Sequence, residues 1–98
     1  MFIACDDAKR LIKEKGAQLV DVRTPEEYAM SVLPGAINIP LQDIDTLGEA
    51  KLDKSIPVIV FCRSGQRSHM AMQILMSQGF LDVQNLGSFM AWHQCPDQ

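Results

Sequence analysis

The sequence predicts a single α/β domain built on a mainly parallel sheet, and three observations lead to this prediction. Short helix and strand patterns alternate along the chain, which is typical of parallel strands joined by helices. The 98 residues are 47% hydrophobic and 21% charged, enough to build one compact core. No internal repeat or low-complexity segment interrupts them. We therefore expect one domain over residues 1–98.

The first two predicted elements are a helix and a strand. Asp6 or Asp7 is placed to cap the helix, and Gly16 is the residue at which we expect it to end. Its apolar face is formed by Ala8, Leu11 and Ile12. Residues 17–22 follow, with four apolar residues among six, and predict a buried strand.

A second helix is announced by the segment Thr24-Pro25-Glu26-Glu27. The Thr24 hydroxyl can accept a hydrogen bond from the Glu27 backbone N–H, while the Glu27 side chain reaches back, as in a capping box. Pro25 falls at the first helical position, where its missing N–H is not needed. A short helix through Met30 is therefore predicted.

The rest of the chain continues the alternation. A turn at Pro34-Gly35 precedes a brief strand over residues 36–39, which Pro40 ends. Residues 41–54 are mostly polar and predict a short helix with loops. The remaining predicted elements are a buried strand over residues 58–61, a helix over residues 68–78 ended by Gly79, a last strand over residues 81–85, and a closing helix with Phe89, Met90 and Trp92.

Charge and hydropathy exclude several classes of partner. The net charge of -3 gives no reason to expect nucleic acid or an acidic membrane surface as a partner. A membrane span needs about 20 apolar residues, and the longest apolar run, residues 56–62, is interrupted by Pro57. The first residues lack the basic start and apolar stretch of a signal peptide.

The three cysteines are Cys5, Cys62 and Cys95. An odd and sparse count argues against a disulfide framework, and no two lie close enough in sequence to suggest a zinc pair. We therefore expect no metal site and a cytoplasmic, reducing location.

The most informative segment runs from the strand at residues 58–61 through Cys62 into a short polar loop and a helix. In a parallel α/β sheet, ligands bind beyond the carboxyl ends of the strands, which is where Cys62 lies. Backbone N–H groups of the loop and of the helix start can point inward and form an anion site, and Gly65 permits the necessary turn. With Arg63 and Arg67 adding positive charge, the pKa of Cys62 is expected below its free value of about 8.5.

Two simpler interpretations accompany this one. Cys62 can be a buried structural cysteine that ends a core strand, since free cysteine often behaves as a small apolar residue. Residues 54–81 contain no Asp or Glu, and this acid-free stretch either attracts a small anion or is a buried strand and helix that lacks acids in any case. The Arg-Ser-Gly-Gln-Arg-Ser sequence after Cys62 favours a reactive thiolate.

Four segments, in order and at suitable spacing, resemble the rhodanese family of sulfurtransferases. They are residues 19–28 (LVDVRTPEEY), 34–40 (PGAINIP), 61–68 (FCRSGQRS) and 85–87 (NLG) with Trp92 beyond. The resemblance covers almost the whole chain. It implies a mainly parallel sheet of about four or five strands, flanked by helices on both faces.

The resemblance also implies a function. Family members move a sulfane sulfur from a donor such as thiosulfate to cyanide or a thiol acceptor, in a ping-pong reaction without a cofactor. By resemblance, Cys62 is the nucleophile that carries the persulfide. The loop that binds substrate and persulfide consists of Arg63, Ser64, Gly65, Gln66, Arg67 and Ser68. Arg63 and Arg67 would steer an anionic donor, and Asp21 and Arg23 match a polar pair that supports the scaffold.

The sequence departs from the family pattern at two places. Ser31-Val32-Leu33 replaces the usual Gly-His-Ile, which concerns local packing more than catalysis. Ser88 replaces a glycine that commonly follows Gly87, which concerns the shape of that loop.

Other functions remain open at this point. Related folds use a cysteine loop ending in arginine in phosphatases and arsenate reductases, but their loop is longer than the four residues between Cys62 and Arg67. A non-catalytic rhodanese-like interaction module is a further alternative, although such modules typically lose the cysteine. Cys95 is a candidate for accepting sulfur from Cys62 or resolving it as a disulfide.

Overall fold

A computed structural model describes residues 1–96; Asp97 and Gln98, the last two residues of the predicted domain, lie outside the described part of the chain. Regular structure alternates between helices and strands. In chain order the elements are α1 (Cys5–Lys15), β1 (Gln18–Asp21), α2 (Pro25–Met30), β2 (Ile37–Asn38), a 3-10 turn (Leu41–Asp43), α3 (Ile44–Lys51), β3 (Val58–Cys62), α4 (Gln66–Ser77), β4 (Val83–Ser88) and a 3-10 helix (Phe89–Gln94).

The four strands form one sheet in the order β2-β1-β3-β4, and every neighbouring pair is parallel. The predicted α/β fold is therefore confirmed, with four strands. All five residues of β3 are buried because this strand has a neighbour on each side and helices above and below. The C-terminal end of β3 thus lies between the ends of β1 and β4, on the side of the sheet where all the strands have their carboxyl ends.

Alternation along the strands divides the core between two faces. Val58, Val60 and Cys62 face α3 and α4, in a cluster that includes Ile44 and Leu75. On the other face, a second cluster is formed by Ala8, Leu19, Leu33, Ile59, Phe61 and Leu86, with Phe89 and Trp92 of the closing 3-10 helix packed against it. Cys62 is consequently directed toward the face that carries α4.

Two helix starts differ from expectation. Helix α1 begins at Cys5 with Ala4 as its N-cap and no side-chain cap, so the prediction of an Asp6 or Asp7 cap is wrong; both acids lie inside the first turn, where they still favour the helix dipole. Helix α4 begins at Gln66, two residues before the predicted start. The turn between Cys62 and α4 is therefore only three residues long, and Gly65 is its last residue.

The expectation that the cysteines form no disulfide is wrong. Cys5 and Cys95 are bonded to each other, 90 residues apart in sequence, with Cα atoms 6.0 Å apart. They meet because α1 and the closing 3-10 helix pack on the same face of the sheet. Cysteine spacing along the chain gave no sign of this contact. Cys62 is left as the free thiol among the three cysteines.

Within residues 1–96, no helix combines the length and the apolar character that crossing a membrane requires.

Candidate active site

The candidate site lies where β3 ends and α4 begins. Cys62, the last residue of β3, pairs with Ser88 of β4 and is fully buried. Arg63 and Ser64 follow and are exposed, and Gly65 is buried again. Gly65 has a φ of 100°, a left-handed conformation that only glycine adopts readily. This conformation turns the backbone so that the chain folds back over the sulfur and enters the helix.

Two groups lie within hydrogen-bond distance of the Cys62 sulfur. The Gly65 backbone N–H donates to Sγ at 3.0 Å, and the Ser68 hydroxyl oxygen lies 3.5 Å from it. Both groups are buried with the sulfur, so water does not compete for these contacts. The arrangement provides donors for a negatively charged sulfur at the start of a helix, where the helix dipole also favours negative charge.

Electrostatics at the sulfur follow from these contacts. Burial by itself raises the pKa of the Cys62 thiol. Hydrogen bonds from the Ser68 hydroxyl and from the backbone N–H groups of Ser68, Gly65 and Ser64 outweigh burial, so the pKa lies below its ordinary value. The predicted direction is confirmed, but its main favourable cause is hydrogen bonding rather than the charge of the arginines.

The two arginines of the loop have different environments. The Arg67 guanidinium binds both carboxylate oxygens of Glu27, at 2.7 and 3.0 Å. This contact, with smaller contributions from the Thr24 hydrogen bonds, lowers the pKa of Glu27 from 4.5 to about 2, and it raises the pKa of Arg67. Arg63 is exposed, and no side chain in the described part of the chain pairs with it. Glu27 therefore neutralises Arg67, one of the two arginines expected to steer an anionic donor, which leaves Arg63 as the uncompensated cation of the loop.

Gln66 and His69 are exposed on the first turns of α4. Neither side chain has a hydrogen bond in the structure of residues 1–96. The His69 backbone N–H donates to the Gly65 carbonyl at 3.0 Å, which belongs to the helix itself. The structure therefore brings Cys62, Gly65 and Ser68 together at the sulfur, while the Gln66 side chain faces solvent.

Asp21 and Arg23 form a buried ion pair beyond the end of β1. Arg23 donates to both carboxylate oxygens of Asp21, with the shortest contact at 2.7 Å, and to the carbonyl oxygen of Ser31 at 2.6 Å. Its guanidinium also lies 4.6 Å from the centre of the Phe89 ring. Because Asp21 is adjacent to Phe61 in the sheet, this pair lies on the face opposite to Cys62. It connects the end of β1 with Ser31 after α2 and with Phe89 of the closing 3-10 helix.

The two departures from the family pattern have local explanations. Ser31 is fixed by the Arg23 guanidinium through its backbone, so its side chain is not needed for this contact. The Ser88 hydroxyl accepts a hydrogen bond from the Met90 N–H at 3.1 Å and caps the closing 3-10 helix. A glycine at this position could not provide that cap.

Sequence reasoning missed Asn85 and Phe2. The Asn85 side chain is buried and accepts a hydrogen bond from the Ser68 hydroxyl at 2.7 Å. The Phe2 ring lies against Gly65 and Gly87, so close that a Cβ at either glycine would be about 3 Å from ring atoms. Asn85 carried a weak signal, since it is a polar residue at the end of a predicted strand, where a buried side chain would need a partner. Phe2 carried none, because nothing local connects it with the loop.

The parallel α/β fold and the cysteine loop at the end of β3 are those of a rhodanese-like domain, and comparisons with known proteins agree. The family model of the rhodanese-like domain matches residues 4–95. The chain belongs to this family.

Relatives and solved structures are similar over most of the chain. A sulfurtransferase of Allochromatium vinosum is 38% identical over 87% of this chain and 79% of its own length. The thiosulfate sulfurtransferase PspE of Escherichia coli K12 is 41% identical over 69% of this chain and 66% of its own length. The structure of a human single-domain sulfurtransferase superposes with a TM-score of 0.83 at 25% identity, covering 98% of this chain and 97% of that one. The protein is an enzyme of the rhodanese, or sulfurtransferase, type.

Proposed function

We propose that the protein transfers a sulfane sulfur from thiosulfate to a thiol or cyanide acceptor through a persulfide on Cys62. The observation that supports this most directly is the 3.0 Å contact from the Gly65 N–H to the Cys62 sulfur. A donor at this position stabilises a thiolate before the reaction and a charged persulfide during it. The names of the relatives support thiosulfate as the donor.

In the first half-reaction, the Cys62 thiolate attacks the outer sulfur of thiosulfate. The new S–S bond forms as the bond between the two thiosulfate sulfurs breaks, and sulfite leaves with the electron pair of that bond. The products are a Cys62 persulfide anion and sulfite, so atoms and charge balance. Exposed Arg63, which has no described partner, is the residue we assign to attracting the dianionic donor.

In the second half-reaction, an acceptor nucleophile attacks the outer sulfur of the persulfide. With cyanide, a C–S bond forms, the S–S bond breaks, and the electron pair returns to Cys62 as thiolate, releasing thiocyanate. With a thiolate acceptor, the product is an acceptor persulfide. The Gly65 N–H serves both halves because negative charge lies on the Cys62 sulfur at the start of the first half and returns to it at the end of the second.

Location belongs to the proposal as well. The expected cytoplasmic location rests on the cysteine count, and the Cys5–Cys95 bond removes that support. Disulfides persist mainly in oxidising compartments. The cytoplasmic location therefore stays a prediction, and an oxidising compartment is the environment in which this bond would stay closed.

Intact mass spectrometry tests the function. Thiosulfate should add the mass of one sulfur atom to the protein, and cyanide should remove it. Cys62→Ser should abolish the gain, whereas a Cys5→Ser, Cys95→Ser double variant should retain it because neither of those cysteines lies in the loop. A gain that survives Cys62→Ser would refute the assignment of the carrier. No gain in the wild type would refute the proposed donor.

A further inference from the structure

Asn85 links the two groups that contact the Cys62 sulfur. Its side-chain oxygen accepts hydrogen bonds from the Ser68 hydroxyl at 2.7 Å and from the Gly87 N–H at 2.8 Å. Its amide nitrogen donates to the Gly65 carbonyl at 3.3 Å. The residue is 2% exposed. Asn85 thus contacts Gly65, whose N–H donates to the Cys62 sulfur, and Ser68, whose hydroxyl lies 3.5 Å from that sulfur.

An irregularity in the sheet makes this geometry available. Val60 pairs with Asn85, but Phe61 pairs with Gly87, so Leu86 is an extra residue in β4. At this bulge the Gly87 N–H donates to the Asn85 side-chain oxygen at 2.8 Å. The bulge leaves Asn85 on the same face of the sheet as Val60 and Cys62, toward α4.

The Ser68 hydroxyl has a single proton but two neighbours that could receive it. The Ser68 hydroxyl donates to the Asn85 oxygen, which is 2.7 Å away. Its oxygen can then accept a hydrogen bond from the S–H of Cys62, whose sulfur lies 3.5 Å away. A thiolate has no proton to donate. Once Cys62 is charged, the hydroxyl proton gains more by turning to the sulfur, because hydrogen bonds to charged groups are roughly twice as strong.

We propose that Asn85 is a positioning residue for sulfur transfer: its side-chain oxygen accepts the hydrogen bond of the Ser68 hydroxyl while Cys62 is uncharged, and the hydroxyl turns to donate to the sulfur when negative charge develops there. Because the Gly87 N–H remains bonded to the Asn85 oxygen, the buried oxygen keeps a partner after the hydroxyl turns away. The inference rests on the proposed persulfide chemistry. In that chemistry, charge returns to the Cys62 sulfur when the acceptor takes the outer sulfur.

Within residues 1–96, few charged groups lie near the Cys62 sulfur, so a change in its pKa on substitution of Asn85 should be measurable. Arg63 lies in the loop and Arg67 on α4 is paired with Glu27. Asp21, paired with Arg23, lies on the opposite face of the sheet. His69 on α4 is exposed, and residues 83–88 of β4 contain no ionisable side chain.

Two substitutions at Asn85 should act in opposite directions. Asn85→Leu removes the competing acceptor, so the Ser68 proton serves the sulfur at all times and the pKa of Cys62 should fall. Asn85→Asp supplies a stronger acceptor and a negative charge, so the pKa of Cys62 should rise. Each change should alter the alkylation rate at low pH by about threefold to tenfold, which corresponds to roughly half to one pKa unit. Ultraviolet absorbance of the thiolate gives a second measure, since Cys62 is the free thiol.

A purely structural role predicts a different pattern. If Asn85 only anchors the loop, both variants loosen the sulfur contacts and the pKa of Cys62 rises in both or stays unchanged in both; either result would overturn the proposal. Asn38→Asp is the matched control, because Asn38 lies on β2, two strands from Cys62, and also donates to backbone carbonyls. It should leave the pKa of Cys62 unchanged.

A second measurement covers the case in which Asn85→Leu does not fold. Ser68→Ala should raise the pKa of Cys62 and slow sulfur release to cyanide, with Ser77→Ala at the far end of α4 as control. Adding Ser68→Ala to Asn85→Asp should change the pKa of Cys62 far less than Ser68→Ala does alone, because in Asn85→Asp the Ser68 hydroxyl already donates its hydrogen bond to the carboxylate. Equal effects in both backgrounds would overturn the proposal. Sulfur uptake by the wild type is scored separately, so failure of the proposed function is distinguishable.

Discussion

Arg67 and Glu27, forty residues apart in sequence, form a two-point ion pair between α4 and α2, with nitrogen–oxygen distances of 2.7 and 3.0 Å. The same Glu27 side chain completes the capping box of α2 by accepting from the Thr24 N–H. One carboxylate therefore fixes the start of α2 and holds the first turn of α4 beside it. Both side chains are about one third exposed, so solvent weakens the pair.

Glu27→Gln should reduce stability in a pH-dependent way. The pKa of Glu27 falls from 4.5 to about 2 on folding. The stability that the charge contributes is therefore present above pH 4.5 and is lost as pH falls toward about 2. The variant keeps the capping hydrogen bonds and loses the charge, so we expect a deficit of about 1 kcal/mol near neutrality, after allowance for exposure. Urea denaturation of both proteins across this pH range measures it, and a deficit that does not shrink on acidification would contradict the prediction.

Arg63→Ala should weaken binding of the donor. Arg63 is the exposed loop cation without a described partner, so its loss should raise the KM for thiosulfate by roughly fivefold to tenfold with little change in kcat. Lys15→Ala, which removes an exposed charge at the end of α1, is the control. Steady-state kinetics at low and high salt provide the measurement, since screening by salt should reduce the difference in KM between Arg63→Ala and the wild type. An unchanged KM would assign anion attraction to other groups.

Gly65→Ala should be far more harmful than Gly79→Ala. Both glycines have left-handed backbone conformations, with φ of 100° and 95°. A methyl group at Gly79 meets nothing within 4 Å, so that variant measures backbone strain alone, about 1–2 kcal/mol. A methyl group at Gly65 would lie 2.7 Å from the Phe2 ring, which displaces the ring or the loop.

Sulfur uptake and thermal unfolding of both variants test this comparison. Gly79→Ala should take up sulfur like the wild type, whereas Gly65→Ala should be strongly impaired. Adding Phe2→Ala to Gly65→Ala should recover part of the stability by removing the clash, but not the part due to φ. Equal destabilisation by the two glycine substitutions would show that the Phe2 contact has no energetic weight.

Opening the Cys5–Cys95 bond should lower stability without abolishing sulfur transfer. The bond closes a loop of nearly the whole chain, and a native disulfide of this kind contributes about 2–4 kcal/mol by restricting the unfolded chain. Denaturation of the wild type with and without reductant, beside Cys5→Ser, measures the contribution. Reductant should lower the wild type to the level of Cys5→Ser and leave the variant unchanged. A wild type that is insensitive to reductant would indicate that the bond is absent in solution.

The wild type should hydrolyse aryl phosphates negligibly while turning over thiosulfate. The turn is limited to Arg63, Ser64 and Gly65, and the Gly65 N–H is directed at the Cys62 sulfur, so we expect too few donors for the oxygens of a phosphoryl group. Side-by-side assays on both substrates are the measurement. Robust phosphatase activity with little thiosulfate turnover would instead favour the alternative of a cysteine-loop phosphatase.

Local patterns in the sequence predicted most of the helices and strands and singled out Cys62 as the candidate nucleophile. The apolar run that ends in Cys62, the glycine three residues later and the capping box at Thr24 are each encoded within a few residues, so they could be predicted directly. The ends of α4 and β4 were less accurate. Helix α4 starts at Gln66 because the left-handed Gly65 ends the turn, and β4 extends to Ser88 around a bulge that no local pattern indicates.

Only the tertiary structure shows the contacts between residues that are distant in sequence. Glu27 neutralises Arg67, Asn85 accepts a hydrogen bond from the Ser68 hydroxyl, and Cys5 is bonded to Cys95, over separations of 40, 17 and 90 residues. Periodicity and composition report which face of an element is buried, but not which element packs against it. Parallel strands and helix packing place these partners together, and that placement determines how much charge and how many donors reach the Cys62 sulfur.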